Sequence, residues 1–279
     1  MINRHTTPAE NDATAIQLLQ VNCVSHQAPI SARVIMPSGP VTNPPIVAIH
    51  GISRDSDAVV DAFLEASMDR RRIVIVPHFD KKHWPVFQRI TGRHRPDLGL
   101  LAILAALRQD GILGNQAFDL FGYSGGAQLA HRFSMLFPEK VNELHLGAAG
   151  WYTLPDRNLP YPLGLGKGGN TRKSWHHLMA NGLRQYLDRP ITVYIGDQDV
   201  KEDRSLRSDT LLNQTQGRNR LERAQRYVDL VAQHQTGIDL PVTARLEVLA
   251  DCGHDFLDCC RKGGLIRRIN WTGDPVAQY

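Results

Sequence analysis

Asp119 to Ala130 reads D-L-F-G-Y-S-G-G-A-Q-L-A, and a G-x-S-x-G pentapeptide runs through it from Gly122 to Gly126. The spacing suits a nucleophile. Glycines on both sides of Ser124 leave room for the sharp strand-to-helix turn that lifts a serine hydroxyl clear of its neighbours. The pattern also arises by chance, so Ser124 acquires meaning only from its context. A hydroxyl is a weak nucleophile at neutral pH; it needs a base, and the base needs a carboxylate to orient it. Downstream, V-Y-I-G-D-Q-D-V places Asp197 and Asp199 just beyond an apolar run, and L-A-D-C-G-H-D-F places His254 just beyond another. Either aspartate could be the orienting acid, or could merely cap its turn. Asp255 adjoins His254 but points elsewhere if the turn is extended, so it is not read as the acid.

Elements that could carry these residues are legible around them. I-S-A-R-V-I-M-P alternates as a strand does; P-P-I-V-A-I-H-G and R-I-V-I-V-P are short apolar runs of the kind found in buried strands. Asp97 to Asp110 has helical spacing and stops near Gly111, Ala117 to Gly122 returns to strand character, and A-Q-L-A-H-R-F-S-M-L-F is a helix with one buried face, ended by Pro138. V-N-E-L-H-L-G-A-A-G, I-T-V-Y-I-G and V-T-A-R-L-E-V-L-A read as further strands, with a charged amphipathic helix from Arg218 to Gln235 before the last. This alternation predicts an α/β protein with a doubly wound, mostly parallel sheet covered by helices on both faces. In that order Ser124 lies between a strand and a helix, whose N-terminus places positive dipole and free N–H groups where an oxyanion would develop.

The chain of 279 residues, 42% hydrophobic and 22% charged, fits one large globular domain, and no linker divides it. Residues 151–189, rich in Pro, Gly and aromatics, interrupt the alternation and read as a short cap or lid within that domain. Trp151 and Tyr152, with Tyr161 and Trp175, could line an acyl pocket or pin the segment to the body. A net charge of +4 with interspersed signs excludes a nucleic-acid partner. The start, M-I-N-R-H-T-T-P-A-E-N-D, has no apolar signal region and no window is long and apolar enough to span a membrane, which predicts a soluble, cytoplasmic protein. Cys23, Cys252, Cys259 and Cys260 do not form a disulfide framework, so reduced thiols are expected. Two glycosylation sequons, at Asn213 and Asn270, carry no weight without a secretory signal.

The order Ser, Asp, His at successive strand ends, with H-G after the first buried run, resembles the α/β-hydrolase-fold serine hydrolases over Pro45 to Phe256. That resemblance implies Ser124, Asp199 and His254 as a catalytic triad, because the family's acid follows a strand in a G-x-x-D pattern, here Gly196 to Asp199. His50-Gly51 is similar to the family's oxyanion element, which implies that the Ile52 N–H joins that of Gly125; Ser53 is the alternative if the loop is shifted by one residue. H-G-x-x-R-D and Q-G-R-N-R-L-E-R resemble, more weakly, poly(3-hydroxybutyrate)-depolymerase-like esterases. The implied activity is hydrolysis of carboxylic esters through an acyl-enzyme, with a small-molecule ester as partner and no cofactor. A serine peptidase or amidase on the same fold, or a binding module reusing it, are the alternatives. Aspartate at the elbow would mark a dehalogenase or epoxide hydrolase; here it is Ser124.

Other signals are weaker. G-L-G-K-G-G, from Gly164 to Gly169, matches a dinucleotide fingerprint but follows a Pro-rich loop rather than a strand. Cys252, His254, Cys259 and Cys260 are close in sequence but lack a second ligand pair for zinc, and adjacent His176 and His177 diverge on a helix; no metal is expected. Arg157, Lys167, Arg172, Lys173 and Arg184 make residues 151–189 positive, either as a solvated face or as an attraction for an anionic ester.

Overall fold

The structure is a computed structural model and describes residues 2–4, 16–25, 28–91, 95–168, 175–203 and 205–269. Nine strands among these form one sheet: β1 (Ile2–Arg4), β2 (Ile16–Ser25), β3 (Ala28–Pro37), β4 (Ile46–Ile49), β5 (Val74–His78), β6 (Phe118–Tyr123), β7 (Val141–Gly147), β8 (Ile191–Gly196) and β9 (Ala244–Leu249). Their spatial order is β1-β2-β3-β5-β4-β6-β7-β8-β9. The first three pairings are antiparallel and every later one is parallel, as βαβ crossovers require. Central strands are buried on both faces, which is why β4, β6 and β8 are near-continuous apolar runs rather than alternating ones.

Helices α1 (Ser56–Arg70), α2 (Pro96–Gln109), α3 (Gly125–Leu136), α4 (Trp175–Asn181), α5 (Leu183–Leu187), α6 (Thr210–Gln216), α7 (Arg220–Gly237), α8 (Phe256–Arg261) and α9 (Leu265–Ile269) cover the sheet. α2 starts at Pro96, whose missing N–H costs nothing at a first turn, and buries Leu100, Ile103, Leu104 and Leu107. In α3 nearly every side chain is buried, because the helix packs against α4 and α5 as well as over the sheet. α7 is capped at both levels of its first turn: Asn219 accepts from Glu222 N at 2.9 Å, and Glu222 accepts from Arg218 N at 2.8 Å.

The described parts of residues 151–189 pack into the body. Trp151 forms a small apolar cluster with Leu163 and Leu212, while Tyr152, Leu154, Leu165, Trp175 and Met179 join the main core. Arg157 and Arg184 donate to backbone carbonyls of Ala180 and Ile238. Arg172, Lys173, Gly169 and the Asn270 sequon lie outside the described residues.

Candidate active site

Ser124 lies between β6 and α3 with φ 52° and ψ −111°. A left-handed φ is costly for a residue with a Cβ, and it persists because the surroundings leave no alternative. A Cβ on Gly122 would strike the Gly126 carbonyl, and one on Gly126 would strike the carbonyls of Ile49 and His50. Strand β6, the first turn of α3 and the loop after β4 therefore meet at backbone contact, and only glycine fits at those two positions. Ser124 N is bonded to Gly147 O at 2.7 Å, which locks the turn to β7.

Ser124 Oγ lies 3.1 Å from His254 Nε2, and His254 Nδ1 lies 2.8 Å from Asp199 Oδ2. A carboxylate at Nδ1 fixes the proton there, so Nε2 is left as the acceptor for the serine hydroxyl. The three residues come from the ends of β6, β8 and β9, which are 130 and 55 positions apart in the two contacts. Asp199 is buried and Asp197 exposed. Turn hydrogen bonds decide between them: Asp199 N bonds to Gly196 O at 3.1 Å and turns its side chain inward. Asp197 instead accepts from Cys252 N at 3.2 Å, bracing the loop that carries His254. The Tyr123 ring lies nearly parallel to that of His254, with centroids 5.7 Å apart.

Across the cleft, Ile52 approaches Gly125 closely: a Cβ built on Gly125 would be 3.5 Å from Ile52 N. Neither N–H has a hydrogen-bond acceptor among the described residues. Buried His50 holds this loop. Its Nε2 accepts from Phe79 N at 3.1 Å, so its Nδ1–H donates to Gly51 O at 2.8 Å. Burial lowers the His50 pKa to about 4, which keeps the ring neutral and this donor-acceptor pattern intact at neutral pH.

The cleft has a volume of about 570 Å³ and is lined by Gly51, Ile52, Ser53, Asp55, Ala58, Val59, Tyr123, Ser124, Ser205, His254, Asp255, Phe256 and Leu257. A second groove of about 550 Å³, between α6, α7 and β9, contains no comparable nucleophile and base. Trp151 and Tyr152 are not among the residues that line this cleft. Trp151 is covered by the guanidinium of Arg132 at 4.1 Å, and Tyr152 is stacked on Tyr227 with centroids 4.1 Å apart. Both side chains are buried. Arg157, Lys167 and Arg184 do not line the cleft either; its charged lining residues among those described are Asp55 and Asp255.

Residues the sequence reading missed include Ser205 and Arg220. Arg220 reaches Asp199 Oδ1 at 3.2 Å from 21 positions away, a contact no local spacing reveals. The Q-G-R-N-R-L-E-R string was its available signal. The Cys252, His254, Cys259 and Cys260 set does not form a ligand cluster: both His254 nitrogens are engaged, and burial pushes the thiols of Cys259 and Cys260 up to about 12. Donor atoms of Asp119, Glu143 and His145 do converge within 4.8 Å of one another. There Asp119 is already paired with the Arg72 guanidinium and with Asn142 Nδ2, a basic setting unsuited to a cation.

No protein-family model matches the chain, and no curated protein matches it. Solved structures do. Poly(aspartic acid) hydrolase-1 from Sphingomonas sp. KT-1 superimposes with a TM-score of 0.73 at 21% identity, over 91% of this chain and 97% of that one. The poly(3-hydroxybutyrate) depolymerase LpqC from Bordetella parapertussis gives 0.70 at 24% identity over 85% of each chain. An S-formylglutathione hydrolase from Agrobacterium tumefaciens gives 0.62 at 14% identity, covering 94% and 96%. Strand order and these likenesses define the α/β-hydrolase fold. No helix among the described residues is long and apolar enough to cross a membrane.

Proposed function

We propose that the protein is a serine hydrolase of carboxylic esters, with Ser124 as nucleophile, His254 as base and Asp199 as orienting acid. The observation that carries this reading is the continuous hydrogen-bonded chain Ser124–His254–Asp199 at 3.1 and 2.8 Å, with its serine on a strained elbow. Ser124 Oγ attacks the ester carbonyl carbon while His254 Nε2 takes its proton; the carbonyl electrons move onto oxygen, which faces the N–H groups of Ile52 and Gly125. Collapse expels the alcohol, protonated by His254, and leaves an acyl-Ser124. Water, deprotonated by the same imidazole, then releases the acid. The steps need no cofactor, because nucleophile, base and oxyanion donors all belong to the chain.

The cleft walls favour a small ester. Ile52, Val59, Phe256 and Leu257 offer apolar surface beside Ser124, and about 570 Å³ accommodates a substrate of modest size. Free cysteines, two of them buried, suit a reducing compartment, and we place the protein in the cytoplasm.

Labelling with a fluorophosphonate probe, alongside hydrolysis of p-nitrophenyl esters from acetate to palmitate, tests the assignment. Wild type should label and turn over, with an optimum among the short chains. Ser124→Ala should lose labelling and at least about 1,000-fold in kcat while remaining folded. A folded wild-type protein that neither labels nor hydrolyses any ester would leave the binding-module reading instead.

A further inference from the structure

Gln216 to Arg223, Q-G-R-N-R-L-E-R, supplies no group to the acyl transfer proposed above, yet its side chains hold both the segment after β7 and the acid of the triad. Gln216 holds the backbone of Tyr152 twice, accepting from its N–H at 2.9 Å and donating to its carbonyl at 2.8 Å. Arg223 donates to Gly150 O at 2.6 Å. Arg220 is only 1% exposed and faces the other flank. Its Nη1 donates to Asp199 Oδ1 at 3.2 Å and Asp203 Oδ2 at 2.7 Å, and its Nη2 donates to Ser205 Oγ at 2.7 Å.

Both oxygens of Asp199 are thereby committed, Oδ2 to His254 and Oδ1 to Arg220. A carboxylate held at one oxygen cannot swing away from the imidazole without breaking a buried charge-assisted bond. Ser205 lines the cleft, so the same guanidinium ties the substrate-facing wall to the acid. We propose that Arg220 is a positioning residue of the triad, fixing the plane of the Asp199 carboxylate against His254 and sharing its charge between Asp199 and Asp203. This rests on the serine-hydrolase reading.

The charged and titratable groups around the guanidinium and around the Asp199–His254 pair that it adjoins come from four elements. Asp199 and Asp203 follow β8, Arg223 lies one turn along α7, His254 and Asp255 follow β9, and Tyr123 ends β6. Hydrogen bonds from Arg220, foremost, hold Asp203 well below the ordinary carboxylate range. Asp203 is therefore ionised at neutral pH, and removing either it or Arg220 changes the charge near His254 with opposite sign.

The test is steady-state ester hydrolysis against pH for wild type, Arg220→Gln, Arg220→Lys and Asp203→Asn, with circular dichroism to establish folding. Arg220→Gln should lower kcat roughly 10- to 100-fold with KM within about two-fold, and should move the acid limb of kcat/KM upward by roughly half a pH unit or more. Arg220→Lys should restore the limb and part of kcat; Asp203→Asn should move the limb downward. A folded Arg220→Gln with wild-type kcat and an unmoved limb overturns the proposal, as does a loss of kcat with no limb movement in any variant. If Arg220→Gln does not fold, Asp203→Asn decides: a limb moved downward supports the role and an unmoved one overturns it. Ser124→Ala retaining wild-type labelling would sink the hydrolase reading itself, and this role with it. Loss of labelling in Ser124→Ala together with unmoved limbs sinks the Arg220 role alone.

Discussion

Asp55 and Asp255 stand at the cleft mouth as the N-terminal caps of two helical turns. Asp55 Oδ1 accepts from Ala58 N at 2.9 Å and Asp255 Oδ1 from Asp258 N at 2.8 Å. Both residues line the cleft and no Lys or Arg among the described residues does, so the local field there is negative. A cationic ester should be favoured over an anionic isostere in kcat/KM by several-fold at low salt. Asparagine retains the capping acceptor and removes only charge. The double variant Asp55→Asn/Asp255→Asn should therefore lose most of that preference with little change in thermal stability, and raising NaCl to about 0.5 M should narrow it in wild type. Equal selectivity in wild type and double variant would show that these carboxylates do not set it.

At the scale of elements, the site depends on where α7 begins. Its cap fixes the phase of the first turn, hence the directions in which Arg220 and Arg223 leave the helix. Asn219→Ala removes the acceptor for Glu222 N and should cost about 1 kcal/mol of stability, read as a lowered urea midpoint with an unchanged m-value. Asn219→Asp, which restores the acceptor beside a helix N-terminus, should recover it. Elements α2, α3, α7 and strands β3 to β9 were legible from spacing and composition, because each buries one stripe or lies in a sheet covered on both faces. Strand β2 is absent from the elements read in the sequence. Its ten pairings with β3 organise it, while Gln17 on the inward-facing set and Leu18 and Val24 on the outward one mask the alternation.

For the molecule as a whole, acid lability follows from histidines buried neutral. Burial lowers His50 and His145 from 6.5 to about 4, and pushes His131 well below 6.5. Between those values the unfolded chain binds protons that the folded one refuses, so stability rises with pH through this window. It is complete above 6.5 and is lost as pH falls toward 4. His131 shows what protonation would break: its Nδ1–H donates to Ala127 O, so its Nε2 accepts from Thr153 N at 2.9 Å, joining α3 to the segment after β7. Urea midpoints measured from pH 7.5 to 4.5 should fall steadily below about 6.5, and His145→Gln should flatten part of that slope. A midpoint independent of pH over this range would contradict the neutral burial of these rings.

The sequence by itself determined the elbow, the order of elements and the placing of serine, aspartate and histidine at strand ends. Those features are local: glycine spacing, apolar runs and hydrophobic stripes act over a few residues and leave their mark in the chain. Tertiary structure set Asp199 against His254, which spacing left open and the family resemblance implied, since Asp197 and Asp199 occupy one turn and the hydrogen bonds of the folded loop aim them apart. It also decided that Trp151 and Tyr152 are walled in by Arg132 and Tyr227, and that Arg220 anchors Asp199. Each of these depends on surfaces far apart in sequence being pressed together, where burial leaves a polar group only the partners that packing provides.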